Sequence, residues 1–295
     1  MARIRIVERE SKLKYKEHVP HVSLQGHVKC FWIMEREYTP GHPAEDVTPD
    51  AFIELILNLG DPYVLHAEGV PDREMPRAIL VGLHQKPLLF RCRGTVRIVA
   101  IRFHAWGAFP FLAEGARGSN NLSVAIGQQW DDLAAKAEPA VLAGDYGTAV
   151  TIVEDHLIER LLTATVDLGK IKAAARMLHL RKGQFRVTEL AQQCNLSSRQ
   201  LQRQFQEAVG VSPKALARAI RFEEIRKRLM FDPDQSLTEL AHEYGYADQA
   251  HFIRDFREFA GRTPGQFARE MRAIQGILRD HDNVVFLQVP SRRRG

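Results

Sequence analysis

The C-terminal part of the chain writes one pattern twice. Val187-Thr-Glu-Leu-Ala191 returns as Leu237-Thr-Glu-Leu-Ala241, at an offset of 50. Further on the offset is 51: Leu201 pairs with Phe252, Arg203 with Arg254, Phe205 with Phe256, Gly210 with Gly261 and Pro213 with Pro264. Self-similarity of this kind means one supersecondary unit built twice. The segment between the copies then fixes how far apart the two units stand.

Each copy reads as helix, tight turn, helix. In the second, Ser236 is placed to cap a helix whose apolar stripe is Leu237, Leu240, Ala241 and Tyr244. Gly245 ends that helix, because glycine accepts the left-handed conformation that a tight turn needs. The first copy has Asn195 there, the best substitute for glycine in that conformation. Tyr246 and Leu196 are expected to anchor the turns, and Cys194 to be a small core residue. The next helix starts near Ser197 or Asp248, both good caps. Leu201, Phe205 and Val209 define its buried face in one copy, and Phe252, Phe256 and Phe259 in the other. Gly210 or Gly261 ends it, and Ser212-Pro213 or Thr263-Pro264 starts another.

The opposite face of each second helix carries the chemistry. Arg199, Gln202, Arg203 and Gln206 fall at helical spacing, with Gln200 beside them. The aligned residues are Ala250, Ile253, Arg254 and Arg257, with Gln249 and His251 alongside. Arginine pairs bidentately with guanine edges and glutamine with adenine edges, so these faces suit a DNA major groove. On a single helix such residues would more often be a solvated face. Two aligned helices, each following a capped turn, favour reading of DNA.

The run from Gly245 through Ala-Asp-Gln-Ala-His-Phe to Gly261-Arg-Thr-Pro264 resembles the signature of the AraC/XylS family of bacterial transcription regulators. Leu196 to Phe205, continued by Gly210-Val-Ser-Pro213, resembles that family's first motif, and the likeness covers about residues 168–272. It implies two recognition helices in adjacent major grooves, joined by a long helix, with double-stranded DNA and RNA polymerase as partners and activation as the outcome. By position, Arg199, Gln202 and Arg203 would read bases in one groove, and Gln249, Ala250, His251 and Arg254 in the next. Ala250 offers only an apolar contact, so less discrimination is expected there. The joining helix is expected over about Pro213–Met230, which at 1.5 Å per residue spans roughly 25 Å. One DNA turn is about 34 Å. Arg218 and Arg221 on that helix are candidate phosphate contacts, and Asp232-Pro233 should end it. Ile225 and Arg228 depart from the family's small residue and leucine, so its packing should differ in detail.

The N-terminal half has another texture. Short apolar runs at Val28–Met34, Phe52–Leu59, Ile79–Leu83, Leu88–Phe90 and Val96–Phe103 predict strands. Thr39–Pro43, Gly60–Pro62 and Gly69–Asp72 are the expected turns. From Leu122 to Ala164 the pattern is helical, and a stripe at Val150, Val153, Leu157 and Leu161 serves either its own domain or a homodimer. The stretch Val47–Gly60 resembles the sensor half of an AraC subgroup, with Ala51 in place of its usual glycine; Val81–Pro87 and Val99–Phe103 add to the likeness. It implies a cupin-like β-barrel or sandwich that takes a small-molecule effector of unknown identity. Phe31, Trp32, Phe90, Phe103 and Trp106 either line a pocket or form plain core.

The expected fold is therefore α+β in two domains: β-rich 1–165 with following helices, an all-α double helix-turn-helix at 166–273, and a tail at 274–295. In the tail, Asn283–Val289 has β character and Ser291–Arg294 is a basic end. Charge follows this division. From Asp167 onward 23 Lys and Arg face 15 Asp and Glu, a balance of +8; the first 166 residues hold 18 against 21, a balance of −3. The basic half is the half with the repeats, as phosphate binding requires. Three scattered cysteines, Cys30, Cys92 and Cys194, provide neither a disulfide framework nor a metal motif. Isolated His66, His84 and His104 lack the His-x-His of a metal cupin, and Glu45-Asp46 reads as a solvated pair. No catalytic set, cofactor or metal is expected. Without a signal peptide or an 18-residue apolar run, the reading is a cytoplasmic, nucleoid-associated protein with no membrane partner.

Overall fold

The structure, a computed structural model, describes residues 14–67, 70–84, 86–112, 124–163 and 168–279. The N-terminal strands are β1 Lys14–His18, β2 Val28–Tyr38, β3 Glu45–Val47, β4 Phe52–Asn58, β5 Tyr63–Ala67, β6 Val70–Glu74, β7 Ala78–Val81, β8 Leu88–Cys92, β9 Gly94–His104 and β10 Val124–Ala125. They form two antiparallel sheets, one ordered β1-β2-β9-β4-β7-β10 and the other β3-β8-β5-β6. The two sheets face each other and stay open at their edges, so the sandwich alternative is realised and a closed barrel is not.

The larger sheet is covered on both faces, and the residues sort by parity. Phe31, Ile33, Ile53, Leu55, Leu57, Val99, Ile101 and Phe103 belong to one apolar cluster, which helices α1 Gln128–Leu142 and α2 Tyr146–Thr163 complete. Cys30, Trp32, Ile98 and Ala100, with Ile56, Ile79 and Val81, turn toward the smaller sheet. A strand buried on both faces reads as an unbroken apolar run rather than an alternation. That is why β9 looks in sequence like a featureless hydrophobic segment. On α2 the stripe Val150, Val153 and Leu157 is consumed by its own domain, leaving Leu162 exposed at the helix end. Of one expected turn, Gly69–Asp72, the described residues 70–72 belong to β6 instead, and Gly69 lies outside the described residues. β6 is an edge strand, where a proline is tolerated.

Seven helices follow among the described residues: α3 Gly169–Leu180, α4 Val187–Gln193, α5 Ser198–Val209, α6 Pro213–Phe231, α7 Leu237–Glu243, α8 Gln249–Ala260 and α9 Pro264–Arg279. The two sequence copies are α4–α5 and α7–α8, and α6 is the rod between them. Leu201, Phe205, Leu216 and Ile220 are fully or almost fully buried in the first unit's core. In the second, Phe222 of α6 stacks on Phe259 at 5.0 Å and meets Phe256 edge-on at 5.1 Å. Such aromatic pairs add about 0.5–1.5 kcal/mol to their area burial. The N-terminal domain docks on α3 and α6. His179 of α3 packs against Phe52 and against Trp106, whose other partner is the stacked ring of His104 at 4.8 Å. The expected strand at Asn283–Val289 and the basic end lie outside the described residues.

Candidate nucleic-acid interface

The second helix of each unit, α5 and α8, is positioned by matching local devices. Ser197 caps α5 through a reciprocal box: its side chain accepts from Gln200 N, and the Gln200 side chain accepts from Ser197 N. Asp248 caps α8 by accepting from His251 N at 2.6 Å. Ser236 caps α7 in the same way, accepting from Glu239 N. The preceding turns take positive φ, 52° at Asn195 and 70° at Gly245, and both reading helices end on left-handed glycines, Gly210 and Gly261. Tyr246 is buried behind its turn, and Leu196 is partly buried against the same core.

Ten of the twelve residues singled out in the sequence lie exposed on these two helices: Arg199, Gln200, Gln202, Arg203 and Gln206 on α5, and Gln249, Ala250, His251, Arg254 and Arg257 on α8. Their availability differs. Gln200 is engaged in its helix cap, and Gln206 donates to Gly210 O at 2.6 Å. Arg199, Gln202 and Arg203 make no side-chain hydrogen bond or ion pair among the described residues, and nor do Arg254 and Arg257. His251 sets its ring edge-on to Tyr246 at 5.2 Å. Each helix therefore holds two or more uncommitted cations or amides on one outward face, which is what readout of base edges requires.

The remaining two residues are placed otherwise than expected. Arg218 is not a free phosphate contact. Its Nε donates to Asp255 Oδ1 at 2.6 Å, its Nη2 donates to Glu258 Oε2 at 2.6 Å, and its guanidinium lies over Phe259. Arg221 is half-buried with its guanidinium 5.1 Å from the Tyr246 ring centre and its Nε enclosed by protein. Tyr246 in turn donates to Asp255 Oδ2 at 2.8 Å. Both oxygens of the buried Asp255 are thus held, one from the rod and one from the turn. This clamp fixes the orientation of α8 relative to α6. The sequence carried a signal for it: Asp255 falls on the apolar stripe between Phe252, Phe256 and Phe259, where an acid needs a partner.

The N-terminal domain holds a partly open cavity of about 360 Å³ between its two sheets. Of the five aromatic candidates, Trp32 and Phe90 line it; Phe31 and Phe103 are fully buried on the other face of the larger sheet, and Trp106 belongs to the domain contact. Glu45 is more than a solvated residue: partly exposed, it starts β3, lines the cavity, and accepts from Arg36, Tyr38 and His42. His84 is buried, bonded through Nδ1 to Lys86 O, and burial lowers its basicity. Arg226 of α6 also reaches the cavity wall.

Residues 190–270 match the family described as a helix-turn-helix domain, and residues 16–124 match one described as a domain of unknown function (DUF6597). A transcriptional activator, RhaS of Pectobacterium atrosepticum, is 36% identical over 75 residues, 25% of this chain and 26% of that protein. The Msm operon regulatory protein of Streptococcus mutans is 25% identical over 118 residues, 40% of this chain and 41% of its own length. The transcriptional regulator MtrA of Neisseria gonorrhoeae is 31% identical over 87 residues, 30% of this chain and 29% of its length. The chain thus spans about a quarter to two fifths of these relatives, which are named as transcription regulators and not as enzymes. Among solved structures, ToxT of Vibrio cholerae O395 aligns over 82% of this chain and 98% of its own, at 12% identity and a TM-score of 0.45.

Proposed function

We propose that this chain, whose C-terminal domain is of the AraC type, is a sequence-specific transcription regulator. Its two reading helices would enter adjacent major grooves from one side of the duplex. Arg199, Gln202 and Arg203 would read the first groove, and Gln249, Ala250, His251, Arg254 and Arg257 the second. The observation that carries this reading is the pair of outward polar faces, each behind the same capped turn, held to one rod by the Asp255 clamp. Residues 1–165 would form the sensing domain, 166–273 the reading domain and 274–295 the tail. Activation, through contacts to RNA polymerase, is supported by a relative named as an activator. The inter-sheet cavity supports control by a small effector on the N-terminal domain, and the site of action would be the cytoplasmic nucleoid.

A gel-shift titration on the DNA upstream of its own and neighbouring genes tests this. Binding that survives excess unrelated DNA supports the reading; binding that unrelated DNA abolishes contradicts it. Replacing Arg203 with alanine should cost about 1–3 kcal/mol and relax the preference at one base position, as for a bidentate base contact. Operator affinity left unchanged in that variant would remove Arg203 from the reading set.

A further inference from the structure

We propose that the inter-sheet cavity takes a hydrophobic organic cation, an alkylated ammonium on a flat apolar body, seated beside Asp50 and against the joining helix α6. The proposal rests on the regulator reading above and names the chemical class of its effector. At about 360 Å³ the cavity falls in the range of small-molecule sites, roughly 300–1,000 Å³. Six aromatic rings wall it: Tyr15, Trp32, Tyr38, Phe52, Tyr63 and Phe90. They come from both sheets, Tyr15 packing beside Trp32 at 6.0 Å and Tyr63 edge-on to Phe90 at 5.4 Å. Faces of such rings attract cations, most strongly where water is excluded.

The charges select the sign. Each cation bordering the cavity already faces an acid. Arg102 holds Glu54 at 2.7 Å, Arg226 holds Glu223 at 2.8 Å, and Arg36 holds Glu45 at 2.6 Å. Asp50 is the acid left over. It accepts a hydrogen bond from Phe52 N at 2.9 Å and makes no ion pair among the described residues. Burial, with Glu54 and Glu223 nearby, pushes its carboxyl up to about 7 against the pull of Arg102, which Glu54 already holds. An arriving cation gives Asp50 a direct counter-charge, where Arg102, paired with Glu54, acts on it only from beyond ion-pair distance. An arriving anion would meet Glu45, Asp50 and Glu54, with no uncommitted cation among the described lining residues to receive it. Arg226 is the wall's contribution from α6, so an occupant touches the sensing domain and the rod together. Binding there is transmitted to the seat of both reading helices.

Calorimetry on the full chain without DNA tests this with three probes: benzyltrimethylammonium, its uncharged isostere neopentylbenzene, and 3-phenylpropanoate. The cation should bind at least about tenfold tighter than the isostere, the order of a desolvated cation–π contact with a carboxylate nearby. Asp50→Asn should erase that preference while keeping the isostere's affinity. Phe90→Leu, which keeps an apolar wall and removes one ring, should weaken the cation selectively and serves if Asp50→Asn does not fold. Equal affinity for the isostere, preference for the carboxylate, or no binding by folded protein would each overturn the proposal. Gel shifts with ligand-free chain read the regulator function separately. DNA binding that persists without cation binding sinks this inference alone; cation binding without DNA binding sinks the regulator reading alone.

Discussion

Asp255 is the residue on which the second reading helix depends. A buried carboxylate is tolerated where both oxygens are bonded, and here Arg218 and Tyr246 do so. Removing Asp255 takes the acceptor from the buried Tyr246 hydroxyl and leaves Arg218 with Glu258 alone. Asp255→Ala should therefore cost about 3–5 kcal/mol in urea unfolding. Glu258→Ala removes only the outer, more exposed partner of Arg218 and should cost under about 1 kcal/mol. Equal losses would show that Asp255 is no clamp. At this scale the outward placement of the proposed reading residues was legible in the sequence, because a helix's outward face follows from its period alone. The fate of Arg218 and Arg221 was not. Both lie on the rod where free cations would suit phosphates, and only the packing of α8 on α6 reveals that acid and ring claim them first.

Among the elements, the turns are the most strongly determined. Gly245 at φ 70° and Asn195 at φ 52° hold a conformation that costs a β-branched residue roughly 1–2 kcal/mol or more. Gly245→Val should lower thermal stability accordingly, whereas Asn195→Gly should be close to neutral. A drop of similar size in both would mean that the turns are held by something other than backbone conformation. Ser197→Ala, which removes the capping box of α5, should cost about 1 kcal/mol. Caps, turns and the bounds of α4 to α8 could be read from sequence because they rest on local chemistry. Sheet pairing could not, since β9 joins β2 on one side and β4 on the other across long separations. The open sandwich in place of a barrel depends on which edges stay unpaired, and no residue run encodes that.

For the whole molecule, the contact between the domains is sensitive to acid. His104 and His179 flank Trp106. Burial, with Lys29 beside it, lowers His104 to about 4; burial, then His104, Lys227 and Lys29, lowers His179 to about 4. Folded values below the ordinary imidazole range mean that the unfolded chain binds more protons between about pH 6.5 and 4. Stability is full above that window and falls as pH drops through it. His27 and His84, also lowered by burial, act in the same direction. Asp50, raised to about 7, acts oppositely but is a single group. Urea midpoints should decline from pH 6.5 to 4, and His104→Gln with His179→Gln should flatten the decline. An unchanged slope in that double variant would place the acid sensitivity elsewhere.

The spacing of the two reading helices is what the functional account depends on most. Hydroxyl-radical and guanine-methylation footprints of the full chain on its operator measure it directly. Two major-groove contact patches are expected on one face of the duplex, about one turn or 34 Å apart. Arg203→Ala should weaken protection in one patch and Arg254→Ala in the other. A single patch, or two on opposite faces of the duplex, would contradict that expectation.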